Sequence, residues 1–352
     1  MKINKLIITA LTFGVFATAC SEDTIDITQG DYQGGLLISG EGSGAGTGSV
    51  SHVAEDLSSG TNFIYKTVND KELGTFLQSM AFSEENAYIT VDNAHSITVV
   101  DRYTFQEIAI INANLEHPRY MAVVDNIGYA TNWGSTSDPN DDFIAVIDLI
   151  TNTVTKTIPV GMGPERIIAH KNVLYISHKG AFGTNNIISV INIDNDTVTE
   201  IVVGDRPDEL FFDENNILYV LSEGQTIYDA DWSVTGHTTA SISKINTTTQ
   251  AILNTWSFAE GEHPSLLAMD GNNLFYFLGT GIFSFDKADT SLPESSTIET
   301  GYIYGMSVKN NRLFTLQSSF TALSELHAYN LNSGAETGNI KVALGASKIY
   351  FN

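Results

Sequence analysis

One pattern recurs along the chain about every 45 residues, and this repeat constrains the fold more than any other feature. Each copy opens at a proline or its equivalent, at positions 77, 118, 164, 207, 264, 303 and 346, and the spacings lie between 39 and 57 residues. Four short runs of apolar, β-branched or aromatic residues follow in a complete copy, as in strands buried between neighbouring sheets. A period of this length with four strand-like runs is the signature of β-propeller blades.

Three consecutive copies show the pattern most clearly, at residues 117–161, 163–204 and 206–246. They share a Pro-x-x-apolar start, a second run built around a tyrosine and a third run of the type Ile-x-Val-Ile. An Asp or Asn ends the third run in successive copies, at Asp101, Asp148, Asn192, Asn246, Asp286 and Asn330. Because short Asx side chains accept hydrogen bonds from the backbone of the following turn, we expect these residues to be structural.

The two ends of the chain each supply part of one further copy. Residues 347–352 resemble a first strand, whereas residues 35–39 and 50–53 resemble a second and a third strand, with residues 63–68 as the fourth. A blade built from both termini would close the ring and leave no open sheet edge. The sequence therefore predicts an all-β fold, a seven-bladed β-propeller with N- and C-terminal strands sharing one blade, formed as one domain by residues 34–352.

The N-terminus has the pattern of a secretory signal. Met1 to Lys5 carries two lysines, Leu6 to Ala19 is uncharged and apolar, and small residues precede Cys20. The segment resembles a bacterial lipoprotein signal, in which cleavage before Cys20 leaves the thiol that carries the lipid, and Ser21-Glu22-Asp23 resembles the acidic export signal of Bacteroidota lipoproteins. We therefore expect a signal peptide at 1–19, a lipidated tether at 20–33 and display on the cell surface, anchored in the outer membrane. An ordinary signal peptide is the alternative.

Charge excludes one class of partner. The chain has 17 Lys and Arg against 41 Asp and Glu, a net charge of −24. Binding to nucleic acid depends on a basic surface that neutralises phosphates, so we expect no nucleic-acid partner. The single cysteine likewise excludes a disulfide framework.

The insertions that distinguish the copies all fall between the second and third strands, which indicates that one face of the propeller carries long loops and the other is plain. The longest of these segments contains Tyr228, Trp232 and His237, and the corresponding segments of two other copies contain Trp133 and Phe320. Exposed aromatic side chains suit flat, partly apolar ligands such as rings or sugars, so these residues are candidate ligand contacts. The alternative is that Trp133 and Trp232 pin down their own loops.

Charged residues at the start of the first strands form a second candidate group. Arg119, Arg166 and Asp208 lie one or two positions after the repeat prolines. Glu165 and Glu209 also follow these prolines within two positions, and His263 directly precedes Pro264. Because the strands of a propeller surround a central channel, we expect these residues near its mouth. They either contact a ligand there or form a ring of paired charges.

No catalytic motif is present, so we expect a protein without enzymatic activity. The sequence has no H-E-x-x-H motif, no nucleophile elbow and no P-loop. The acidic segment 138–142 offers oxygen ligands for calcium but lacks the Gly and the terminal Glu of an EF-hand loop, which favours a solvated turn. His117 and His263 belong to different copies and would have to meet across the channel to bind a metal. We therefore expect no cofactor, with calcium as an open alternative.

The repeat resembles the YVTN-type, YncE-like family of seven-bladed propellers over residues 34–352. The opening Gly34–Gly42 and the copy with Pro118-Arg119-Tyr120 are similar to surface propeller lipoproteins of Bacteroidota, including BtuG-type proteins that capture vitamin B12. This resemblance implies a lipoprotein that binds a nutrient, for example a corrinoid, on the long-loop face and passes it to a TonB-dependent transporter. The alternative is a structural or adhesive surface protein that binds glycan or protein, with an enzyme as a third hypothesis.

Overall fold

The computed structural model describes residues 30–44, 47–135 and 137–352, and it confirms the seven-bladed β-propeller. Each blade is a four-stranded antiparallel sheet whose strands follow one another from the channel outwards. No helix in these residues is long and apolar enough to cross a membrane. The predicted signal peptide, Cys20 and the tether up to residue 29 lie outside the described residues.

The strands are numbered in chain order and the blades from residue 77. Blade 1 contains β4 (Leu77–Phe82), β5 (Asn86–Val91), β6 (Ser96–Asp101) and β7 (Glu107–Ile111). Blade 2 contains β8 (Pro118–Val124), β9 (Ile127–Asn132), β10 (Phe143–Asp148) and β11 (Thr153–Pro159). Blade 3 contains β12 (Pro164–His170), β13 (Val173–His178), β14 (Ile187–Asn192) and β15 (Thr197–Val202). Blade 4 contains β16 (Pro207–Phe212), β17 (Ile217–Ser222), β20 (Ser241–Asn246) and β21 (Ala251–Ser257).

Blade 5 contains β22 (Ser265–Asp270), β23 (Asn273–Leu278), β24 (Gly281–Asp286) and β25 (Ile298–Glu299). Blade 6 contains β26 (Gly305–Lys309), β27 (Arg312–Gln317), β28 (Leu323–Asn330) and β29 (Glu336–Leu344). Blade 7 contains β30 (Ala346–Phe351), β1 (Leu36–Gly40), β2 (Ser49–Val53) and β3 (Gly60–Thr61). A separate hairpin of β18 (Thr226–Tyr228) and β19 (Val234–His237) projects from blade 4. The first strand of every blade begins within two residues of the repeat position predicted from the sequence.

Both termini contribute to blade 7, as predicted. The C-terminal strand β30 pairs antiparallel with β1, from Leu36 opposite Phe351 to Gly40 opposite Ala346. A hydrogen bond from the Asn352 amide to the Gly35 carbonyl places the two ends of the propeller side by side. This pairing closes the ring in the way that a propeller needs in order to bury its sheet edges.

The predicted fourth strand of blade 7 at residues 63–68 is wrong. Gly60–Thr61 form that strand, and residues 64–69 form the helix α1 (Ile64–Asn69). Ile64 and Tyr65, whose β-branched and aromatic side chains suggested a strand, are instead buried from this helix in the core between blades 7 and 1. The Asn69 amide donates to the Phe105 carbonyl and its oxygen accepts from the Glu107 backbone, so the helix is held by blade 1. Tertiary packing thus overrides the local β-propensity.

The hydrophobic core lies between neighbouring blades. The buried side chains form clusters that each join two adjacent blades around the whole ring. The Asx residues at the ends of the third strands accept backbone hydrogen bonds from the following turn, as expected, in all six predicted copies. The repeat therefore encodes both the packing between blades and the turn that follows each third strand.

The two faces of the ring differ in their loops. The long-loop face consists of the loops between second and third strands and of the connections into the next blade, and the opposite face is called the plain face. Among the loops between second and third strands, those of blades 2 and 4 are the longest, at residues 133–142 and 223–240, and the loop of blade 3 spans residues 179–186. The expectation that all insertions fall on this face is wrong for blade 5, whose residues 287–297 form a long connection between β24 and β25 on the plain face.

Candidate functional site

In the part of the chain that the structure describes, exposed aromatic side chains are confined to the long-loop face. Among the described residues, seven Phe, Tyr or Trp side chains belong to the exposed large hydrophobic residues, and all seven lie in loops or connections of this face: Phe63, Phe76, Phe182, Tyr228, Trp232, Tyr302 and Phe320. Trp232 is 81% exposed and Phe182 is 77% exposed. Aromatic side chains are enriched at the surfaces through which proteins bind their partners. This face is therefore the candidate ligand surface.

The hairpin of β18 and β19, which we call the arm, carries three of the predicted contact residues. Tyr228 ends β18, Trp232 lies in the turn, and His237 ends β19. The rings of Tyr228 and Trp232 lie 6.1 Å apart between centroids. Trp232 has a positive φ of 66°, and the Asp229 carboxylate accepts from the Asp231 and Ser233 amides, which fixes the turn. The arm thus presents two aromatic rings to solvent instead of burying them.

At the base of the arm, two histidine rings face each other. Nδ1 of His237 lies 3.0 Å from Nε2 of His263, and the hydroxyl oxygen of Thr226 lies 3.3 Å from each of these nitrogens. Nδ1 of His263 lies 2.9 Å from the Glu223 carbonyl oxygen, which can only accept a hydrogen bond. Sequence reasoning missed this contact, because 26 residues separate the two histidines and only the arm's register brings them together.

Arg119 occupies the channel mouth in blade 2. Its guanidinium donates to Asp92 at 2.7 Å and to both carboxylate oxygens of Glu165, at 3.0 and 3.2 Å. The same group lies over the Trp133 ring, 3.9 Å from its centroid. The Trp133 indole N–H donates to the Pro164 carbonyl at 3.0 Å. Two predicted site residues, Arg119 and Trp133, therefore touch each other, and much of the Trp133 ring is committed to holding the channel wall.

Arg166 and Asp208 meet one blade further round the channel. The Arg166 guanidinium donates to Asp208 at 2.8 Å and also pairs with Glu209, while Lys179 bridges Asp208 and Glu223 at 3.0 and 2.9 Å. Burial opposes ionisation of Asp208, but Lys179 and Arg166 outweigh it and hold its pKa well below the ordinary value. The charges at the channel mouth thus form the paired ring that was one of the two predicted alternatives.

A cavity of about 290 Å³ lies at the centre of this ring, between Arg119, Lys179, Tyr304 and Lys348. Burial and the neighbouring Arg166 charge lower the pKa of Lys348. Burial also raises the pKa of Glu41 across the cavity. The cavity is therefore polar and narrow, and it suits hydrogen-bonding groups of a ligand better than an apolar ring.

Glu209 makes the stability of this site depend on pH. Burial, opposed by Arg166 and reinforced by Asp208, raises the pKa of Glu209 to about 7. The native state therefore holds this proton more tightly than the unfolded chain, and the stability it contributes is lost as pH rises from the unfolded pKa of about 4.3 through 7. We expect urea unfolding of wild type to lose roughly 2 kcal/mol between pH 5 and pH 8 relative to Glu209→Gln. Parallel pH profiles for the two proteins would contradict this assignment.

Two exposed rings pack against aromatic side chains at the edge of the channel mouth. Phe320 packs edge-on against Tyr304 at 5.7 Å in blade 6, and Phe182 packs edge-on against Trp133 at the same separation in blade 3. Phe182 and Tyr302 are exposed aromatic side chains that were not among the residues predicted from the sequence. Phe182 lies in a loop whose length is visible in the sequence, so it could have been predicted as exposed. Tyr302 lies in a connection of ordinary length, which gave no such indication.

The carboxylates of the acidic segment 138–142 accept hydrogen bonds from backbone amides of their own loop and of the connection into blade 3. Asp138 accepts from the Asn140 amide, Asp141 accepts from the Ser135 amide, and Asp142 accepts from Gly163. Burial raises the pKa of Asp142 to about 6. Within the described residues, no group of three or more His, Cys, Asp and Glu is placed to hold a metal ion.

Comparison with known proteins shows the fold. No protein-family model matches the chain, and no curated protein matches it. Similar solved structures include a quinoprotein alcohol dehydrogenase-like protein from Bacteroides thetaiotaomicron VPI-5482, with 11% identity and a TM-score of 0.61, covering 91% of this chain and 78% of that one. Apo AztD from Citrobacter koseri has 12% identity and a TM-score of 0.53, covering 86% and 82%. The dihydro-heme d1 dehydrogenase NirN in complex with DHE has 13% identity and a TM-score of 0.54, covering 90% and 75%.

Proposed function

We propose that this protein is a cell-surface lipoprotein that binds a small molecule with a flat, partly apolar body on the long-loop face. The observation that carries the proposal is the confinement of all exposed aromatic side chains of the described residues to that face. Aromatic rings bind flat surfaces by stacking, and the polar cavity beside them offers hydrogen-bonding groups. The function is binding without chemistry, because the channel charges are mostly committed to one another.

The position of the N-terminal segment indicates that the long-loop face points away from the membrane. Tyr32 is buried against Phe105, and its backbone amide donates to the Tyr103 carbonyl in a turn of the plain face. Between Cys20 and Gly30 the chain spans at most about 35 Å when fully extended. A lipid on Cys20 would therefore hold the plain face towards the outer membrane and direct the long-loop face away from it.

A corrinoid fits the chemistry of this surface. Its ring is broad and partly apolar, and its amide side chains seek hydrogen bonds. Trp232, Phe182 and Tyr302 offer exposed rings, while Lys348 and Glu41 line the polar cavity. NirN, a propeller of similar fold, was solved in complex with DHE. The resemblance to vitamin B12-binding surface proteins points to the same ligand class, with a TonB-dependent transporter as the partner that receives it.

Calorimetric titration of the chain from residue 21 onwards with cyanocobalamin tests the proposal. We expect saturable binding that weakens at least tenfold in the double variant Trp232→Ala, Phe182→Ala, because interface aromatic side chains commonly contribute more than about 1 kcal/mol each. Ile150→Ala is the matched control, since Ile150 is 75% exposed in a turn of the plain face. Trp133 is unsuited to this test because its ring supports Arg119.

The spread of the aromatic side chains favours a second candidate function. Phe76, Phe182, Trp232 and Phe320 lie in loops or connections of different blades, a wider area than one small ligand contacts. A glycan or protein partner of an adhesive surface protein would use such a footprint, and single aromatic substitutions would then have small effects. Absence of heat with cyanocobalamin together with binding to a glycan or protein array would establish this alternative.

A further inference from the structure

The base of the arm brings three potential metal-binding atoms into one small triangle. Nδ1 of His237, Nε2 of His263 and Oγ1 of Thr226 are separated by 3.0, 3.3 and 3.3 Å. Register pairing sets part of this geometry, because Thr226 and His237 are directly opposite in the hairpin. In a tetrahedral zinc site with bonds of about 2.0 to 2.1 Å, neighbouring ligand atoms lie about 3.3 Å apart. The triangle therefore has nearly the dimensions of one face of such a site.

The protonation of His263 leaves the correct atom free to bind a metal. Its Nδ1 lies 2.9 Å from the Glu223 carbonyl oxygen, so this nitrogen carries the proton of the neutral ring. Its Nε2 then points a lone pair at His237. A backbone carbonyl that holds the distal N–H of a histidine is the usual support for a metal-bound imidazole.

A change of tautomer in His237 would convert the present histidine contact into a metal site. In the absence of metal, His237 donates from Nδ1 to Nε2 of His263. Moving that proton to Nε2 of His237 leaves two facing lone pairs, and a divalent cation between them replaces the hydrogen bond. Both histidines are partly exposed, which leaves room for water at the remaining coordination positions.

We propose that His237 and His263, with Thr226 beside them, bind a divalent transition-metal ion of the zinc type that fastens the arm to the connection between blades 4 and 5. Imidazole ligands suit zinc, copper and nickel, and copper(II) is expected to bind most tightly of the three. With two strong ligands the affinity is expected in the micromolar range. The bound ion would hold in place the segment that carries Tyr228 and Trp232, although the site itself does not depend on the ligand proposed above.

Calorimetric titration with ZnCl₂, on the purified chain without a histidine tag, tests the site. We expect one saturable equivalent for wild type and at least thirtyfold weaker binding for His237→Asn and His263→Gln, which keep similar size and polarity. The matched control is His52→Gln, because the His52 ring lies near the plain face, where it contacts the Gly34 carbonyl and the Tyr32 ring. We also expect zinc to slow proteolysis within residues 225–240 in wild type and not in the two arm variants.

Two results would overturn the proposal. One is the absence of saturable zinc binding below about 100 μM in a wild-type chain with an unchanged thermal transition. The other is binding that both arm variants retain, which would assign the ion to another part of the chain such as the acidic segment 138–142. Because neither result involves cyanocobalamin, failure of the metal site is distinguishable from failure of the proposed ligand.

Discussion

Truncation of the chain after Gly345 is expected to abolish cooperative unfolding. The deletion removes β30, the innermost strand of blade 7, and with it the only strand that pairs with the inner edge of β1 in the described fold. It also removes Ala346, Ile349 and Phe351 from the core between blades 6 and 7. The exposed edges of an opened ring would then be free to aggregate. We expect no urea or thermal transition by circular dichroism where wild type shows one.

A circular permutant separates ring closure from the loss of seven residues. The Asn352 amide donates to the Gly35 carbonyl, so a short glycine linker can join the two ends, and new termini can be opened at the exposed tip of the loop 179–186, between Phe182 and Gly183. This permutant keeps every blade whole, and we expect it to unfold cooperatively. A truncated chain that unfolds cooperatively with the wild-type midpoint would show that β30 is not required for closure.

Replacement of Arg166 by Met is expected to cost about 3 to 5 kcal/mol of unfolding free energy. Arg166 pairs with Asp208 and Glu209 at positions where all three side chains are largely buried. Removing one partner of a buried ion pair leaves an uncompensated charge, which is the reason for a loss of this size. With an unfolding entropy of about 2.1 cal/mol/K per residue, the thermal midpoint should fall by roughly 4 to 7 °C.

Two further variants identify the cause of that loss. Arg166→Lys keeps the positive charge but loses the forked contact, so we expect a smaller decrease in stability. The triple variant Arg166→Met, Asp208→Asn, Glu209→Gln removes all three charges, and we expect it to recover a large part of the lost stability. If the triple variant is no more stable than Arg166→Met, the loss comes from packing against Tyr120, over whose ring Arg166 lies at 4.6 Å, rather than from unpaired charge.

The architecture was predictable because the sequence repeats once for each blade. The spacing of Pro118, Pro164 and Pro207 predicted where inner strands begin, and Asp148 and its equivalents predicted the turns that follow the third strands. Both signals depend only on residues close in the sequence, so they can be recognised without knowing which blades pack together. The segment 63–68 has the same β-branched and aromatic composition as a strand, and only the space between blades 7 and 1 makes it a helix.

The candidate site was predictable only in outline. Loop length indicated the face, and residue type indicated Tyr228 and Trp232 as exposed rings, which agrees with their exposure in the structure. Sequence could not distinguish Trp133, which lies under the Arg119 guanidinium, from the freely exposed Trp232. The contact of His237 with His263 depends on the position of the arm relative to the connection between blades 4 and 5, which no local sequence pattern indicates.

Hydrogen exchange with and without cyanocobalamin tests most directly whether the long-loop face is the binding surface. We expect the ligand to slow exchange in residues 179–186, 223–240 and 300–304, which surround the channel mouth, and to leave exchange in the plain-face turns at 149–152 and 193–196 unchanged. Slower exchange confined to the plain-face turns, or saturable binding with no change on the long-loop face, would contradict this expectation.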